Sequence, residues 1–238
     1  NLLDSNPDIG VLIMEVMRSI EPAEGYLEAI RDKCNKNGIV LIFDECTSGF
    51  RETFGGLHLK FGITPDLATF GKALGNGYAI TALIGKSSVM SSVEDTFMSS
   101  TFWSERTGYV AALASLKAME HLQSWEKITQ IGLKMRKIWS ASFIDTGIDF
   151  SFSGIPALSA LQFHGPNGNV IKTLITQEML KEKILASNIF YPSIAHTEMH
   201  LEQYQSALQE VILKITKVSD PRMLLHSEPS QIGFKRLN

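Results

Sequence analysis

The apolar positions of this chain fall into two alternating rhythms. The run Ile9-Gly-Val-Leu-Ile-Met-Glu15 is short, β-branched and closed by an acid, which predicts a buried strand. After a loop through Arg18 to Gly25, Leu27, Ile30 and Cys34 recur at helical spacing and predict a helix over Tyr26 to Asn37, with Gly38 as its left-handed stop. A second β-branched run, Ile39 to Phe43, follows at once and ends at Asp44 and Glu45. Strand, helix and strand in that order predict a right-handed crossover feeding a parallel sheet. Strands are next expected at Leu67 to Phe70 and Tyr78 to Gly85, on either side of Lys72, with Gly71, Gly75 and Gly77 leaving room for a close approach to the backbone.

From Glu105 to Leu122 an alanine-rich pattern predicts a long helix, resumed from Trp125 to Phe143 after a break near Ser124. Beyond it, strands are expected at Phe150 to Ser153, Leu158 to His164 and Ile189 to Tyr191, with a helix at Lys172 to Ala186. A final helix carries Leu201, Tyr204, Leu208, Val211, Ile215 and Val218 on one face and has Thr197 as its N-cap. The tail from Asp220 holds two prolines and no apolar pattern, and is expected to be loosely held. The resulting division is a sheet domain over residues 1–123 and a small α+β domain over 124–238.

Composition narrows the function classes. With 238 residues, 44% hydrophobic and 20% charged, the chain can bury a large core. A net charge of −3 without any basic run gives no footprint for nucleic acid or an anionic membrane, so small molecules and protein subunits are the expected partners. Two cysteines make no disulfide framework, and no apolar stretch reaches membrane-spanning length. A reducing cytoplasm is the expected location. The close pair His196 and His200 has no third ligand nearby and reads as solvated polar side chains at a helix start, not a metal site.

The candidate chemistry lies at Asp44 and Lys72. An apolar strand that ends in a carboxylate delivers it to the edge of a parallel sheet, where open α/β folds bind ligands. An acid facing a lysine on a neighbouring strand can hold a nitrogen heterocycle, the acid keeping the ring nitrogen protonated and the amine joining its aldehyde as a Schiff base. Pyridoxal 5′-phosphate is such a heterocycle.

The surrounding wording makes the expectation specific. Leu41-Ile-Phe-Asp-Glu-Cys-Thr-Ser-Gly-Phe-Arg51, Gly55-Gly56, Phe61-Gly-Ile-Thr-Pro-Asp66, Gly71-Lys72-Ala-Leu-Gly-Asn-Gly77 and Ser100-Thr-Phe-Trp-Ser-Glu-Arg106 together resemble the class III pyridoxal-phosphate aminotransferases. The likeness is greatest to the branch containing glutamate-1-semialdehyde 2,1-aminomutase and, within it, to aminotransferases associated with surface-polysaccharide synthesis. It is densest from about Ile9 to Leu122.

That resemblance implies a fold-type I α/β transferase, with residues 1–123 as the C-terminal portion of its mainly parallel cofactor-binding domain. It also implies amino transfer between a small-molecule amino donor and a carbonyl acceptor, a sugar derivative among the possible acceptors. Lys72 would form the internal aldimine and move the proton, and Asp44 would accept the pyridinium N–H. Cys46 would pack on a face of the ring, and Thr101 would reach the cofactor phosphate of the neighbouring subunit in a homodimer. Glu45 is expected to be a loop or dimer-contact residue.

The chain opens almost directly into a strand, while the family's phosphate loop and ring-stacking aromatic residue lie upstream of this point. A fragment lacking the N-terminal half, inactive and poor in cofactor binding by itself, is the resulting expectation. Val16 after Glu15 departs from the family's usual proline, and no arginine stands near Tyr191-Pro-Ser-Ile-Ala-His-Thr197 to clamp a substrate carboxylate. Arg51 and Arg106 are as compatible with holding loops as with holding a ligand. The intramolecular aminomutase reaction stays open, as does a non-catalytic remnant kept for assembly, against which the presence of both Asp44 and Lys72 argues.

Overall fold

A computed structural model describes residues 2–101, 103–231 and 233. The chain divides into two compact units, Asn1–Lys127 and Ile128–Asn238.

In the first unit, a four-residue helix α1 (Leu2–Ser5) precedes strand β1 (Val11–Met14), helix α2 (Tyr26–Asn37) and strand β2 (Val40–Asp44). Gly38 ends α2 at φ 65° and its amide closes on the Cys34 carbonyl, so the glycine stop expected from the sequence is present. Helix α3 (His58–Phe61), strand β3 (Leu67–Phe70), a 3₁₀ turn over Lys72–Leu74, strand β4 (Ala82–Gly85), helix α4 (Ser87–Met90) and helix α5 (Arg106–Leu122) follow. The sheet order is β1-β2-β3-β4; β1, β2 and β3 run parallel and β4 antiparallel to β3.

Side-chain alternation gives this sheet two different faces. Leu41, Phe43, Ala68 and Phe70 are buried on one. The opposite face carries Val11, Ile13, Val40, Ile42, Asp44, Leu67 and Thr69, of which Val11 is 54% and Ile13 61% exposed. Strand β4 is shorter than expected because β3 pairs with it only from Ala82 to Gly85, and the chain comes to it through a turn at Asn76, φ 47°, and Gly77, φ 104°. Gly75 is required there: a Cβ on it would meet the Tyr78 carbonyl oxygen at 2.1 Å.

Glu105 caps α5, its carboxylate accepting from the Thr107 and Gly108 amides, and Gln123 at φ 47° makes the break between α5 and α6 (Ser124–Phe143). In the second unit the rest of α6 packs with helix α7 (Gly168–Lys181), helix α8 (Glu198–Thr216) and the antiparallel sheet β5 (Phe150–Ser153), β6 (Ser159–Phe163) and β7 (Ile189–Phe190). Met135, Trp139, Leu174, Met179, Leu208 and Val211 are at most 1% exposed and form one core.

Helix α7 runs Gly168–Lys181 instead of the expected 172–186. Lys183 turns left-handed at φ 62° and the Ile184 amide closes back on the Met179 carbonyl at 3.0 Å, so the apolar residues 184–186 lie beyond the helix. The tail also differs from expectation. Gln177 on α7 donates to the Leu224 carbonyl at 3.0 Å and accepts from the His226 amide at 2.9 Å, and the Ser230 amide donates to Thr173 Oγ1 at 3.0 Å. Polar bonds hold this segment where no apolar pattern announced it. Among the described residues no helix is long and apolar enough to cross a membrane.

Candidate active site

Strand β2 ends at Asp44, which pairs in register with Thr69 on β3. Asp44 Oδ1 accepts from the Cys46 amide at 3.0 Å and from Thr69 Oγ1 at 3.2 Å. The Cys46 amide bond most of all, then Thr69 and the nearby Lys72 charge, outweigh partial burial and hold the carboxyl below its usual range. Asp44 is therefore an anion at neutral pH, with both of these bonds gathered on one oxygen. Cys46 Sγ sits 3.7 Å from Thr69 Oγ1, and burial pushes its thiol up, so it is a neutral packing group.

Lys72 leaves the end of β3 through extended Gly71 and adopts φ 44°, a conformation L-residues adopt at a cost in energy. Its side chain is exposed and Nζ donates to the Thr47 hydroxyl. Asp44, Cys46, Thr47, Thr69 and Lys72 thus come from two adjacent strand ends; Asp44, Cys46 and Thr69 are joined by contacts, Lys72 is bonded to Thr47, and its charge acts on Asp44. Thr101 is on the exposed turn closed by the Trp103 amide to the Ser100 carbonyl, and takes no part in those bonds.

Behind this cluster stands Glu45. It is fully buried, because consecutive residues of an extended segment point to opposite sides. Its carboxylate accepts from the His58 amide at 2.9 Å, from His58 Nδ1 at 2.8 Å and from Ser48 Oγ. Burial alone would raise its pKa, yet the bonds from His58 and Ser48 prevail and lower it. A Cβ at Gly56 would come within 2.8 Å of Glu45 Oε1, so the glycine lets the backbone pass over the carboxylate. Glu45 fixes the loop that carries Cys46 and Thr47. Sequence reasoning gave Glu45 as a loop or dimer-contact residue without its burial or its bonds to His58 and Ser48; nothing in the sequence pointed to Thr47.

Residues 6–140 match the family described as Aminotransferase class-III. The chain belongs to that family. It is 34% identical over 205 residues to a 3-aminobutyryl-CoA aminotransferase of Cloacimonas acidaminovorans, covering 83% of this chain and 49% of the relative. A glutamate-1-semialdehyde 2,1-aminomutase of Bdellovibrio bacteriovorus is 32% identical, with 75% and 46% covered. The chain therefore spans about half the length of the curated relatives it matches. Among solved structures, the internal-aldimine form of the FumI protein of Sphingopyxis sp. MTA144 superposes with a TM-score of 0.82 at 22% identity, covering 93% of this chain and 56% of that one. An omega-transaminase from Sphaerobacter thermophilus gives 0.77 at 20% identity, covering 85% and 51%. The fold is that of the fold-type I pyridoxal-phosphate transferases, and pyridoxal phosphate is the cofactor of the class III family.

Proposed function

We propose that this chain carries the lysine and aspartate of a pyridoxal-phosphate enzyme that moves an amino group from a small-molecule donor to a carbonyl acceptor. The observation that carries the proposal is an ionised carboxylate, Asp44, beside an exposed lysine, Lys72, whose charge helps keep it ionised. Such a pair fits the cofactor: a fixed anion suits a protonated ring nitrogen, and a presented amine suits an aldehyde.

Lys72 Nζ would hold the aldehyde carbon covalently, Asp44 would accept the ring N–H, and Cys46 would pack against a ring face. When bound, the cofactor supplies a conjugated cationic ring able to take up the electron pair of a substrate carbon. Around it, Asp44 keeps its charge through the Cys46 and Thr69 bonds, Glu45 holds the loop, and Lys72 Nζ, once free, carries a proton at the substrate carbon. Residues 1–123 would be the C-terminal portion of the cofactor-binding domain and 124–238 the small domain of a cytoplasmic enzyme. Similarity to aminomutases keeps intramolecular exchange as the second reading, and a requirement for an external amino donor separates the two.

Borohydride reduction of the cofactor-loaded protein followed by peptide mass analysis should find the cofactor on Lys72, and Lys72→Ala should abolish the adduct. Trapping at another lysine would sink the assignment. Thr101 is proposed to reach the cofactor phosphate of a second subunit, and the exposed Phe97, Trp103, Tyr109, Val110 and Leu113 of the first unit support a homodimer. Mixing Lys72→Ala with Thr101→Ala forms of the whole enzyme should then restore partial activity, because one site of the mixed dimer carries neither lesion. Confirmed mixed dimers that stay inactive would remove Thr101 from that role.

A further inference from the structure

The second unit contains a cleft of about 490 Å³ bounded by α6, α8 and the segment from Lys183 to Ala195. Its lining includes Trp139, 1% exposed, and Phe190, whose ring meets the indole edge-on with centres 6.5 Å apart. The polar groups on the wall include several donors. His196 Nδ1 accepts from the Ser193 amide at 2.9 Å and His200 Nδ1 from the Thr197 amide at 3.1 Å, so each neutral ring carries its hydrogen on Nε2. The Tyr204 phenol accepts from Trp139 Nε1 at 2.9 Å, and no described residue accepts from its O–H. Burial pushes that phenol up to about 12, so it remains a donor at any physiological pH. Among the described residues that line the cleft, Lys183 is the only charged one and none is a carboxylate.

Donors and a cation around aromatic surface complement an anion carried on an apolar body, and they repel a cation of the same shape. We propose that this cleft binds a small carboxylate with an aromatic or branched apolar body, the carboxylate toward Lys183 and the imidazole Nε2–H groups and the body against Phe190, Ile189 and Leu185. The proposal goes beyond the amino-transfer function and does not depend on it.

The test uses the full chain and the indole N–H resonance of Trp139, assigned by its loss in Trp139→Phe. Because the indole meets Phe190 edge-on, a body packed on Phe190 should shift that resonance. Phenylacetate should shift the resonance saturably, and benzylammonium at the same concentrations should not. Lys183→Met should weaken phenylacetate about fivefold while leaving the weaker binding of benzyl alcohol unchanged. Ala195→Trp, at an exposed lining position without a side-chain polar bond, should abolish both. Equal shifts from benzylammonium, no shift from phenylacetate, or phenylacetate binding untouched by both substitutions would each overturn the proposal. Should Ala195→Trp fail to fold, the comparison of phenylacetate with benzylammonium on the unmodified chain decides by itself.

Discussion

The two units bury their apolar surface in different ways. In Ile128–Asn238, three helices and a three-stranded sheet gather sixteen buried residues into a single cluster. In Asn1–Lys127 the four-stranded sheet is covered on the Leu41 and Phe43 face, and bears half-exposed valine and isoleucine together with Asp44 on the other. Chemistry and exposed apolar surface share one face of one sheet. The second unit is built around packing, the first around a charged cluster that packing alone would not favour.

The largest effect should follow from opening the closed core. Trp139 is buried among Met135, Phe152 and Phe190, stacks on Phe152 with ring centres 6.0 Å apart, and donates to the Tyr204 oxygen. Trp139→Ala removes the indole volume and leaves a buried oxygen without its donor, a loss of about 3–5 kcal/mol. Urea unfolding measures it. A loss under about 1 kcal/mol would mean that the core of the second unit is not what holds it, and the contrast between the units would fail.

The elements readable in the sequence were those with a local cause. Helix α2 has apolar spacing and a glycine stop at Gly38, and β5 has a short aromatic alternation, so both were found with the bounds the structure has. Asp44 and Lys72 were legible because an acid closes one strand and glycines surround the lysine, and the structure sets them close enough to interact electrostatically. The partners of Asp44 were not legible. Thr69 meets it only through the parallel register of β2 and β3, and Thr47 meets Lys72 only after Lys72 turns to φ 44°. The early end of α7 is similar: the apolar spacing continues through Ile184 to Ala186, and the left-handed turn at Lys183 overrides it. The hydrogen-bonded tail carries no apolar period at all, so its attachment to α7 had no pattern to reveal it.

A smaller loss should come from the charged cluster. Glu45→Gln keeps the shape but removes the charge that accepts from His58 and Ser48, which should cost about 2 kcal/mol at pH 7. The pH dependence fixes the sign. Because the folded-state pKa of Glu45 is lowered, its contribution is fully present above the unfolded value of about 4.3 and is lost as pH falls through the folded value. The wild-type and Glu45→Gln stability curves should therefore converge on acidification. Curves that stay parallel down to pH 3 would show that the buried carboxylate is not what steadies the loop.

The smallest effect belongs to the open face. Val11 is 54% exposed on the edge strand β1, in register with Val40 of β2 and on the same face as Asp44. If that face meets water in the folded protein, Val11→Ser changes stability by no more than about 0.5 kcal/mol, the range usual for surface substitutions. Leu41, fully buried on the opposite face, is the internal reference, and Leu41→Ser should cost several times as much. The ratio of the two losses in urea unfolding measures how unequal the faces are. A Val11→Ser loss close to that of Leu41→Ser, and larger at higher protein concentration, would mean that a second copy covers the open face in solution. The proposed homodimer would then account for it, and the contrast between a closed and an open unit would hold only for the isolated chain.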